Sequence, residues 1–204
     1  MDIFGSESKQ DEFVLHMMNG KVGTYLEIGA WYPIDTNNTY RLEHRGWTGT
    51  SIEINPIYKK AWAKERTNPL IIADALQYDF PEVDHIDYLQ LDIEPPSQTF
   101  AVLQRLLELK TTYSIITYET DAYGDPTYVA PSRKLLQSKG YILAVSDVLC
   151  KTGQPYEDWY INPKFIDIEL IKTWKQYIAQ QPYDFRYVAP KFIDTDLIKI
   201  SKQI

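Results

Sequence analysis

Residues 24–40 read TYLEIGAWYPIDTNNTY, and the first half of this stretch has the pattern of a buried strand that stops at Gly29. The strand places an acidic residue, Glu27, between apolar neighbours and ends in Gly29 and Ala30, after which mostly aromatic and polar residues follow. A buried carboxylate is costly unless another group pairs with it. The stretch therefore predicts either a local hydrogen bond that holds Glu27 in the fold or a ligand that the carboxylate contacts.

The alternation of strand-like and helix-like stretches indicates the fold class. Seven runs predict strands, at residues 25–28, 47–54, 69–76, 85–93, 113–119, 141–149 and 156–162. Helical patterns separate most of them, and strands joined through helices form right-handed crossovers in a parallel sheet. We therefore expect an α/β fold with a doubly wound, mostly parallel seven-stranded sheet, helices on both faces and an antiparallel last strand.

The composition is that of a globular protein, with 44% hydrophobic and 24% charged residues among 204. We expect a single domain over residues 1–204, with a core at about 20–163 and a helical C-terminal extension at about 164–204. An amphipathic segment around Trp174 lies in that extension, and its pattern favours covering the core over covering a partner subunit. The sequence leaves open whether the chain forms a homo-oligomer.

The net charge and the single cysteine limit the cellular compartment and the kinds of partner that we expect for the chain. The net charge is −7, whereas nucleic-acid binders usually carry clustered Lys and Arg, so we expect no nucleic-acid partner. No apolar run approaches the roughly 18 residues of a membrane span, and residues 1–5 lack the pattern of a signal peptide. One cysteine, Cys150, fits a reducing compartment. These features predict a soluble, cytoplasmic protein with no membrane partner.

Acidic residues stand at or near the carboxyl ends of five predicted strands. They are Glu27, Glu53, Asp74, Asp92 and Glu119. Each carboxylate taken alone is explained by capping of the turn or helix that follows it. In open parallel sheets, however, ligands bind outside the carboxyl ends of the strands, where the strand order reverses. The repetition therefore predicts a shared acidic pocket.

The spacing of Glu53 from Gly29 indicates a nucleoside ligand. In Rossmann-like domains an acid about 20 residues after the glycine turn holds the ribose hydroxyls. A dinucleotide also needs a glycine-rich turn that lets the backbone approach a pyrophosphate, and residues 29–33 read GAWYP instead. S-adenosylmethionine fits such a pocket: its ribose suits Glu53, its adenine amine suits Asp74 and Ala75, and its cationic groups favour acidic surroundings.

Several blocks of the chain resemble the FkbM-type methyltransferases. These blocks are YLEIGA (25–30), NTYRLEHRGWTGTSIEINP (38–56), IDYLQLDIEPP (86–96), SIITYETDAY (114–123) and YEDWYINP (156–163). The resemblance spans about residues 23–163. It implies a class I methyltransferase fold, S-adenosylmethionine as methyl donor, and O-methylation, often of sugars in antibiotics and surface glycans. Related chains often have a histidine where this chain has Thr120, so the family's most obvious general base is missing here.

We expect several residues of the first loop to contact this donor. Gly29 and Ala30 would form the turn beneath it, and Glu27 would face its methionine and ribose end. Asn38 and Thr39, which open the next predicted helix, would add hydrogen bonds. The structural alternatives are a Glu27 carboxylate bonded to backbone amides of the loop, and an Asn38–Thr39 pair that only caps the helix.

Removal of the acceptor's proton needs a base or a metal ion, and the three histidines are poorly placed for it. We therefore expect Asp92 and Glu119 to be catalytic. Together with Asp121 they form a set of oxygen ligands that suits Mg²⁺ or Mn²⁺. Direct base catalysis by Asp92 or Glu119, and simple capping of a loop, are the alternatives.

Aromatic and acidic residues near the last strands predict a surface for a sugar acceptor. They are Tyr123, Tyr156, Asp158 and Trp159. The alternative for Trp159 is an aromatic strand residue that packs on the core. The sequence thus predicts an S-adenosylmethionine-dependent O-methyltransferase that acts on a sugar hydroxyl of a glycan or a glycosylated metabolite. A non-catalytic donor-binding domain and an amino-methyltransferase on protein or nucleic acid are the competing hypotheses.

Overall fold

The computed structural model of the chain describes residues 5–180 and 191–193. The strands are β1 (Thr24–Ile28), β2 (Thr48–Glu53), β3 (Leu70–Ile72), β4 (His85–Leu91), β5 (Thr112–Glu119), β6 (Ile142–Leu149), β7 (Pro155–Ile161) and β8 (Lys191–Phe192). The helices are α1 (Gln10–Met17), α2 (Tyr40–Glu43), α3 (Lys59–Glu65), α4 (Pro96–Glu108), α5 (Val129–Ser138) and α6 (Glu169–Gln180). No helix in these ranges has the length and apolar character needed to cross a membrane.

The strands form one sheet in the order β3-β2-β1-β4-β5-β7-β6-β8. Strands β3, β2, β1, β4 and β5 run parallel to one another. Strand β7 pairs antiparallel with both β5 and β6. The order reverses between β1 and β4, because the chain first builds outward through β2 and β3 and then returns to the other side of β1. The predicted doubly wound sheet with its antiparallel last strand is confirmed, and β8 adds a short eighth strand beside β6.

The register of the sheet aligns the ends of the central strands. β1 is in register with both β2 and β4 at Ile28, and β4 is in register with β5 at Leu91. The next residue on each strand therefore falls into one row across the sheet. In sheet order this row is Glu53, Gly29, Asp92 and Glu119. The pairing alone thus brings three of the predicted acids to one edge.

Each face of the sheet packs against helices. On one face, the ring of Phe13 in α1 lies 4.7 Å from Trp159 and 5.6 Å from Trp174 in α6, measured between ring centroids. Ile171 and Trp174 are buried, so α6 covers the core as the amphipathic pattern predicts. On the other face, buried side chains of α4 and α5 pack on β4 and β5. Residues 181–190 and 194–204 of the predicted extension lie outside the described residues.

The third strand is shorter than predicted. It spans only Leu70–Ile72 instead of residues 69–76, so Asp74 lies in the turn after the strand. One carboxylate oxygen of Asp74 accepts a hydrogen bond from the Leu76 amide at 2.9 Å, and the amides of the next two residues bond to its carbonyl oxygen. An aspartate that bonds amides ahead of it starts a turn instead of extending a strand.

Gly29 allows β1 and β4 to approach each other at the row. Its φ is +84°, and a Cβ atom at this position would overlap the carbonyl oxygen of Asp92. The backbone amide of Asp92 also donates to the Ile28 carbonyl oxygen at 3.0 Å, which fixes the two chain segments side by side. Only glycine satisfies both the backbone angle and the contact.

We predict that Gly29→Ala lowers the free energy of unfolding by more than about 3 kcal/mol, the sum of left-handed backbone strain and steric overlap. Gly140→Ala is the matched control, because Gly140 has φ +88° and no atom within 4 Å of the added Cβ. The control should lose only about 1–2 kcal/mol. Chemical denaturation of both variants measures the difference, and equal losses would contradict the proposed contact.

Candidate active site

A cavity of about 730 Å³ lies at the carboxyl ends of the parallel strands, where the strand order reverses. All five acids that end the predicted strands line it, and two further acids join them. The acidic lining residues are Glu7, Glu27, Glu53, Asp74, Asp92, Glu94 and Glu119. No lysine, arginine or histidine lines the cavity in the part of the chain that the structure describes. Its volume suits a ligand of drug or nucleoside size.

Most of the predicted site residues lie on the wall of this cavity. Those predicted for the donor are Glu27, Gly29, Ala30, Asn38, Glu53, Asp74 and Ala75, and those predicted for catalysis or the acceptor are Asp92, Glu119, Tyr123 and Tyr156. Thr39, Asp121, Asp158 and Trp159 are not among the lining residues. The geometry therefore allows the first set to contact a ligand, and the binding roles stay predictions.

The buried carboxylate of Glu27 is hydrogen-bonded to two hydroxyl groups of the protein. It is 1% exposed, and its Oε2 accepts hydrogen bonds from Ser51 Oγ at 2.6 Å and from Thr39 Oγ1 at 2.9 Å. The Arg66 guanidinium donates to Thr39 Oγ1 at 2.8 Å. Burial raises the pKa of Glu27, while the Arg66 charge and the hydroxyl bonds act in the opposite direction. The carboxyl group thus has partners in the fold and also reaches the cavity, and its partners are side chains instead of the backbone amides considered above.

The start of α2 separates the roles of three adjacent residues. Asn37 Oδ1 accepts hydrogen bonds from the amides of Thr39 and Tyr40 at 3.0 and 2.8 Å, so Asn37 holds the turn that leads into the helix. Thr39 is fully buried behind Glu27 and does not reach the cavity, which leaves its predicted contact with the donor unsupported. Asn38 is 6% exposed, lines the cavity, and its Oδ1 has no hydrogen-bond partner among the described residues. Asn38 is therefore the member of this segment that is open to a ligand.

Glu53 fixes two loops that border the cavity. Its Oε2 accepts a hydrogen bond from the Trp31 amide at 2.9 Å and its Oε1 accepts one from the Asn55 amide at 2.8 Å. A carboxylate accepts about four hydrogen bonds, so these two leave capacity for a ligand. Glu53 is 8% exposed and lines the cavity, a position from which it can accept bonds from vicinal hydroxyls.

Asp92, Glu119 and Asp121 form a chain of hydrogen-bonded carboxyl groups. Glu119 bonds to Asp92 on one side and to Asp121 on the other, and Asp121 also bonds to Tyr123. Burial raises the pKa of all three, and the neighbouring carboxylates raise the pKa of Glu119 further. The interaction between them raises the pKa of Glu119 and lowers that of Asp92, so Glu119 is the member of the pair that holds a proton more readily.

The predicted metal site does not form. Among the described residues no group of three or more His, Cys, Asp and Glu side chains has an arrangement that could hold a metal ion. Burial raises the pKa values of Asp92, Glu119 and Asp121, whereas a hard cation takes its oxygen ligands as ionised carboxylates. The residues present therefore do not fit the predicted Mg²⁺ or Mn²⁺ ion.

Asp158 is part of an ion pair away from the cavity. Its side chain is fully buried, and its two oxygens accept hydrogen bonds from Arg133 Nε at 2.7 Å and Nη2 at 2.9 Å. Arg133 also bonds to Asp147, and the amide of Asp147 donates to Asp158 at 3.0 Å. The predicted contact of Asp158 with the acceptor is not supported, since β7 turns this side chain towards α5.

Trp159 packs in the core, as the structural alternative proposed. It is 2% exposed and contacts the rings of Phe13 and Trp174. Its Nε1 donates a hydrogen bond of 2.7 Å to Glu157 Oε2. The predicted contact of Trp159 with an acceptor is therefore not supported.

Glu157 is a buried acid next to the row that the predicted site residues do not include. Glu157 pairs with Glu119 in the β5–β7 register and is 2% exposed. Gln10 Nε2 donates to its Oε2 at 2.8 Å, and burial raises the pKa of Glu157 to about 8. The signal was an acid inside an aromatic strand, the same pattern that identified Glu27. Arg66, which stabilises the loop near Glu27, carried no comparable signal because it lies at the end of a charged helix.

The N-terminal segment forms a wall of the cavity that the predicted site residues do not include either. Ser6 bridges to Thr36, and Ser8 Oγ donates to the Leu149 carbonyl oxygen at 3.0 Å. Glu7 accepts a bond from the Lys151 amide at 3.2 Å. Residues of this segment and of the β6–β7 turn that line the cavity are Glu7, Gln10, Cys150, Thr152 and Gln154. Their contacts join distant parts of the chain, which a local pattern does not reveal.

Solved structures share the fold of this chain at low sequence identity. An rRNA methylase from Streptococcus thermophilus matches with a TM-score of 0.54 and 12% identity, over 74% of this chain and 93% of that one. The O-methyltransferase TomG from Streptomyces achromogenes, in complex with SAM, matches with a TM-score of 0.53 and 13% identity, over 79% and 82%. The N-methyltransferase NodS from Bradyrhizobium japonicum, in complex with S-adenosylhomocysteine, gives 0.51 and 13%, over 76% and 86%.

No family model and no curated protein sequence matches the chain. The resemblance to FkbM-type methyltransferases therefore stays a prediction. The structural similarity and the strand order together show that the chain has the Rossmann-like fold of S-adenosylmethionine-dependent class I methyltransferases.

Proposed function

We propose that this protein is an S-adenosylmethionine-dependent methyltransferase that acts on a hydroxyl group of a sugar. One observation carries the proposal: in a methyltransferase fold, the acids that end five neighbouring segments of the sheet line a single cavity with no basic side chain among its described residues. A pocket of this charge favours a cationic ligand and disfavours the pyrophosphate of a dinucleotide. The fold alone does not carry the function, since one fold hosts many activities.

The lining residues fit the methyl donor. Glu53 has hydrogen-bonding capacity left for two ribose hydroxyls, and Asp74 and Ala75 lie beyond it on the adenine side. Asn38 Oδ1 and Glu27 would receive the ammonium group of the methionine part. When bound, S-adenosylmethionine supplies an electrophilic methyl group and leaves as S-adenosylhomocysteine. The bound nucleosides of TomG and NodS, which share the fold, support this assignment.

Asp92 is placed to hold the proton that the acceptor hydroxyl loses. It lies at the end of β4 beside Gly29, and the interaction with Glu119 lowers the pKa of Asp92 and raises that of Glu119. Its raised pKa makes it a stronger base than an exposed aspartate, which helps because a sugar hydroxyl is a weak acid. The bond from the protonated Glu119 orients the Asp92 carboxylate. The histidines His16, His44 and His85 do not line the cavity.

The acceptor side of the cavity supports a sugar. Tyr123 is half exposed at the rim and offers an aromatic face, and Tyr156 is held by Gln10 through a 2.8 Å bond to its hydroxyl. Rings of this kind contact the C–H face of a sugar while nearby polar groups meet its hydroxyls. NodS methylates nitrogen, as its name states, so product analysis has to establish which atom receives the methyl group here.

We predict that Glu53→Ala weakens binding of S-adenosylhomocysteine by about 1–3 kcal/mol, because ribose hydroxyls lose their acceptor. Asp87→Ala is the control, since Asp87 also accepts a bond from a backbone amide, that of Thr24 at 2.8 Å, but at the opposite end of the strands. Isothermal calorimetry measures both affinities, and thermal melting checks that both variants fold. Wild-type affinity in Glu53→Ala would refute the ribose assignment.

We predict that Asp92→Asn lowers kcat at least about 10²-fold and leaves donor affinity near normal. Since the pKa of Asp92 is raised, activity should fall as the pH drops through that raised value, above the ordinary range of an aspartate. Glu119→Ala removes a bond that lowers the pKa of Asp92, so the acid limb should move to higher pH, whereas Glu119→Gln keeps a donor and should leave it in place.

Rate profiles against pH, with S-adenosylhomocysteine formation as readout, test this assignment. Full activity of Asp92→Asn would remove the base from the mechanism. Loss of wild-type activity in a chelator, restored by Mg²⁺ or Mn²⁺, would reinstate the metal hypothesis. Donor binding without methyl transfer to any acceptor would instead indicate a non-catalytic domain.

A further inference from the structure

A buried arginine lies behind the cavity wall, close to Glu27. Arg66 directly follows helix α3, and its side chain is fully buried. It is not among the residues that line the cavity. Its guanidinium carbon lies 4.2 Å from the centroid of the Trp62 ring. A buried cation is costly unless other groups pair with it, so the partners of Arg66 indicate what its charge does.

The partners of Arg66 belong to one salt bridge, to β1 and to the loop that follows β1. Its Nε donates to Glu43 Oε2 at 2.6 Å, which forms the salt bridge. The remaining bonds leave from Nη1 and Nη2. They go to the Pro33 carbonyl oxygen at 3.0 Å, Asn37 Oδ1 at 2.9 Å, Tyr25 Oη at 3.1 Å and Thr39 Oγ1 at 2.8 Å. These bonds use all the N–H donors of the guanidinium.

The bond to Thr39 sets the direction of a hydrogen-bond chain that leads to Glu27. A guanidinium only donates, so Thr39 Oγ1 accepts from Arg66 and its own proton is directed to Glu27 Oε2, 2.9 Å away. The alternative acceptor for this proton, Asn37 Oδ1 at 3.2 Å, already accepts bonds from two backbone amides and from Arg66. Glu27 Oε2 therefore accepts from Thr39 as well as from Ser51 Oγ at 2.6 Å.

This chain connects the charge of Arg66 to the cavity, because Glu27 lines the cavity and Arg66 does not. Burial raises the pKa of Glu27, and the Arg66 charge is the largest of the interactions that lower it. Without that charge the buried carboxyl group would be driven towards its neutral form. A neutral carboxyl group attracts a cation much less than a carboxylate does. Arg66 thus affects how strongly this side of the cavity attracts a cation.

Resting on the proposed function of the cavity, we propose that Arg66 is a positioning residue for the methyl donor. Through the Thr39 hydroxyl it stabilises the ionised form of Glu27, and this carboxylate receives the ammonium group of the donor's methionine part. Arg66 itself contacts no part of the ligand, and Thr39 and Glu27 separate its charge from the ammonium group. The donor side of the cavity thus keeps a carboxylate that burial alone would neutralise.

Calorimetry with three nucleosides tests this role. S-adenosylhomocysteine carries an ammonium group and a carboxylate, its decarboxylated analogue keeps only the ammonium group, and 5′-methylthioadenosine has neither. The amine preference is the dissociation constant of 5′-methylthioadenosine divided by that of the decarboxylated analogue. We expect Arg66→Met to lower this preference at least about fivefold, the lower end of the usual coupling between linked sites. The affinity for 5′-methylthioadenosine itself should stay nearly unchanged.

Further variants separate this role from simple support of the loop. Thr39→Val removes the connecting hydroxyl and leaves the other bonds of Arg66 in place, and it should lower the amine preference as well. In Glu27→Gln the preference should already be lost, and adding Arg66→Met should lower it no further. Arg133→Met is the matched control, because Arg133 also pairs with a buried carboxylate, that of Asp158, but away from the cavity. It should lower the melting temperature and leave the amine preference unchanged.

The two proposals fail in different ways. A wild-type protein that binds none of the three nucleosides refutes the proposed function. A wild-type protein that binds them without an amine preference, or an unchanged preference in the folded Thr39→Val variant, refutes only the role of Arg66. The same holds if Arg66→Met lowers the preference equally with and without Glu27→Gln, since Arg66 would then act only through the loop. Thermal melting shows which variants fold, and Thr39→Val provides the test if Arg66→Met does not.

Discussion

The close approach of Gly29 to the backbone of Asp92 is the constraint on which the cavity depends. At this point β1 and β4 lie side by side at the reversal of strand order, and no side chain can stand between them. The register then continues outward, so that Glu53 falls on one side of Gly29 and Glu119 on the other. One backbone contact thus places a residue suited to the donor and a pair of carboxyl groups suited to proton removal around a common point.

The row concentrates acids that would repel one another, and the fold manages their charges in two ways. Glu27 accepts hydrogen bonds from the hydroxyl groups of Thr39 and Ser51, and Arg66 donates to the Thr39 hydroxyl. The positive charge near Glu27 therefore belongs to a residue behind the cavity wall and not to one that lines the cavity. Around Asp92 and Glu119 burial raises the pKa values of the carboxyl groups, which favours a neutral member in the cluster. The cavity consequently stays acidic, with no basic side chain among the described residues that line it, which suits the cationic methyl donor proposed above.

Much of the fold and most of the residues that line the cavity around Gly29 could be predicted from sequence, because both depend on local patterns. Apolar runs that end in an acid identify parallel strands and their carboxyl ends together, and Glu53 follows from its spacing to Gly29. The shorter β3 escaped prediction, since the turn at Asp74 depends on hydrogen bonds that only three-dimensional structure shows. The predicted acceptor contact of Asp158 is not supported for a similar reason. Its partner Arg133 lies 25 residues away in the sequence, so no local pattern indicates their ion pair.

The acceptor side could be predicted least, because contacts between distant residues build it. Glu7 lines the cavity because the N-terminal segment is hydrogen-bonded to residues 149–151, at the end of β6 and in the turn after it. The sequence distance between this segment and the central strands follows no fixed pattern, so the contact could not be predicted. The metal hypothesis failed at the same place. Three acids at the ends of neighbouring predicted strands suit an ion, but among the described residues no group of three or more such side chains has an arrangement that could hold one.

A crystal structure of the protein with S-adenosylhomocysteine tests the central claim most directly. The account predicts that the ribose hydroxyls lie within hydrogen-bonding distance of the Glu53 carboxylate and that the sulfur faces the open space beside Asp92 and Glu119, with Gly29 beneath the ligand. A ligand bound elsewhere, or one whose ribose lies away from Glu53 and whose sulfur points away from Asp92, would contradict the account.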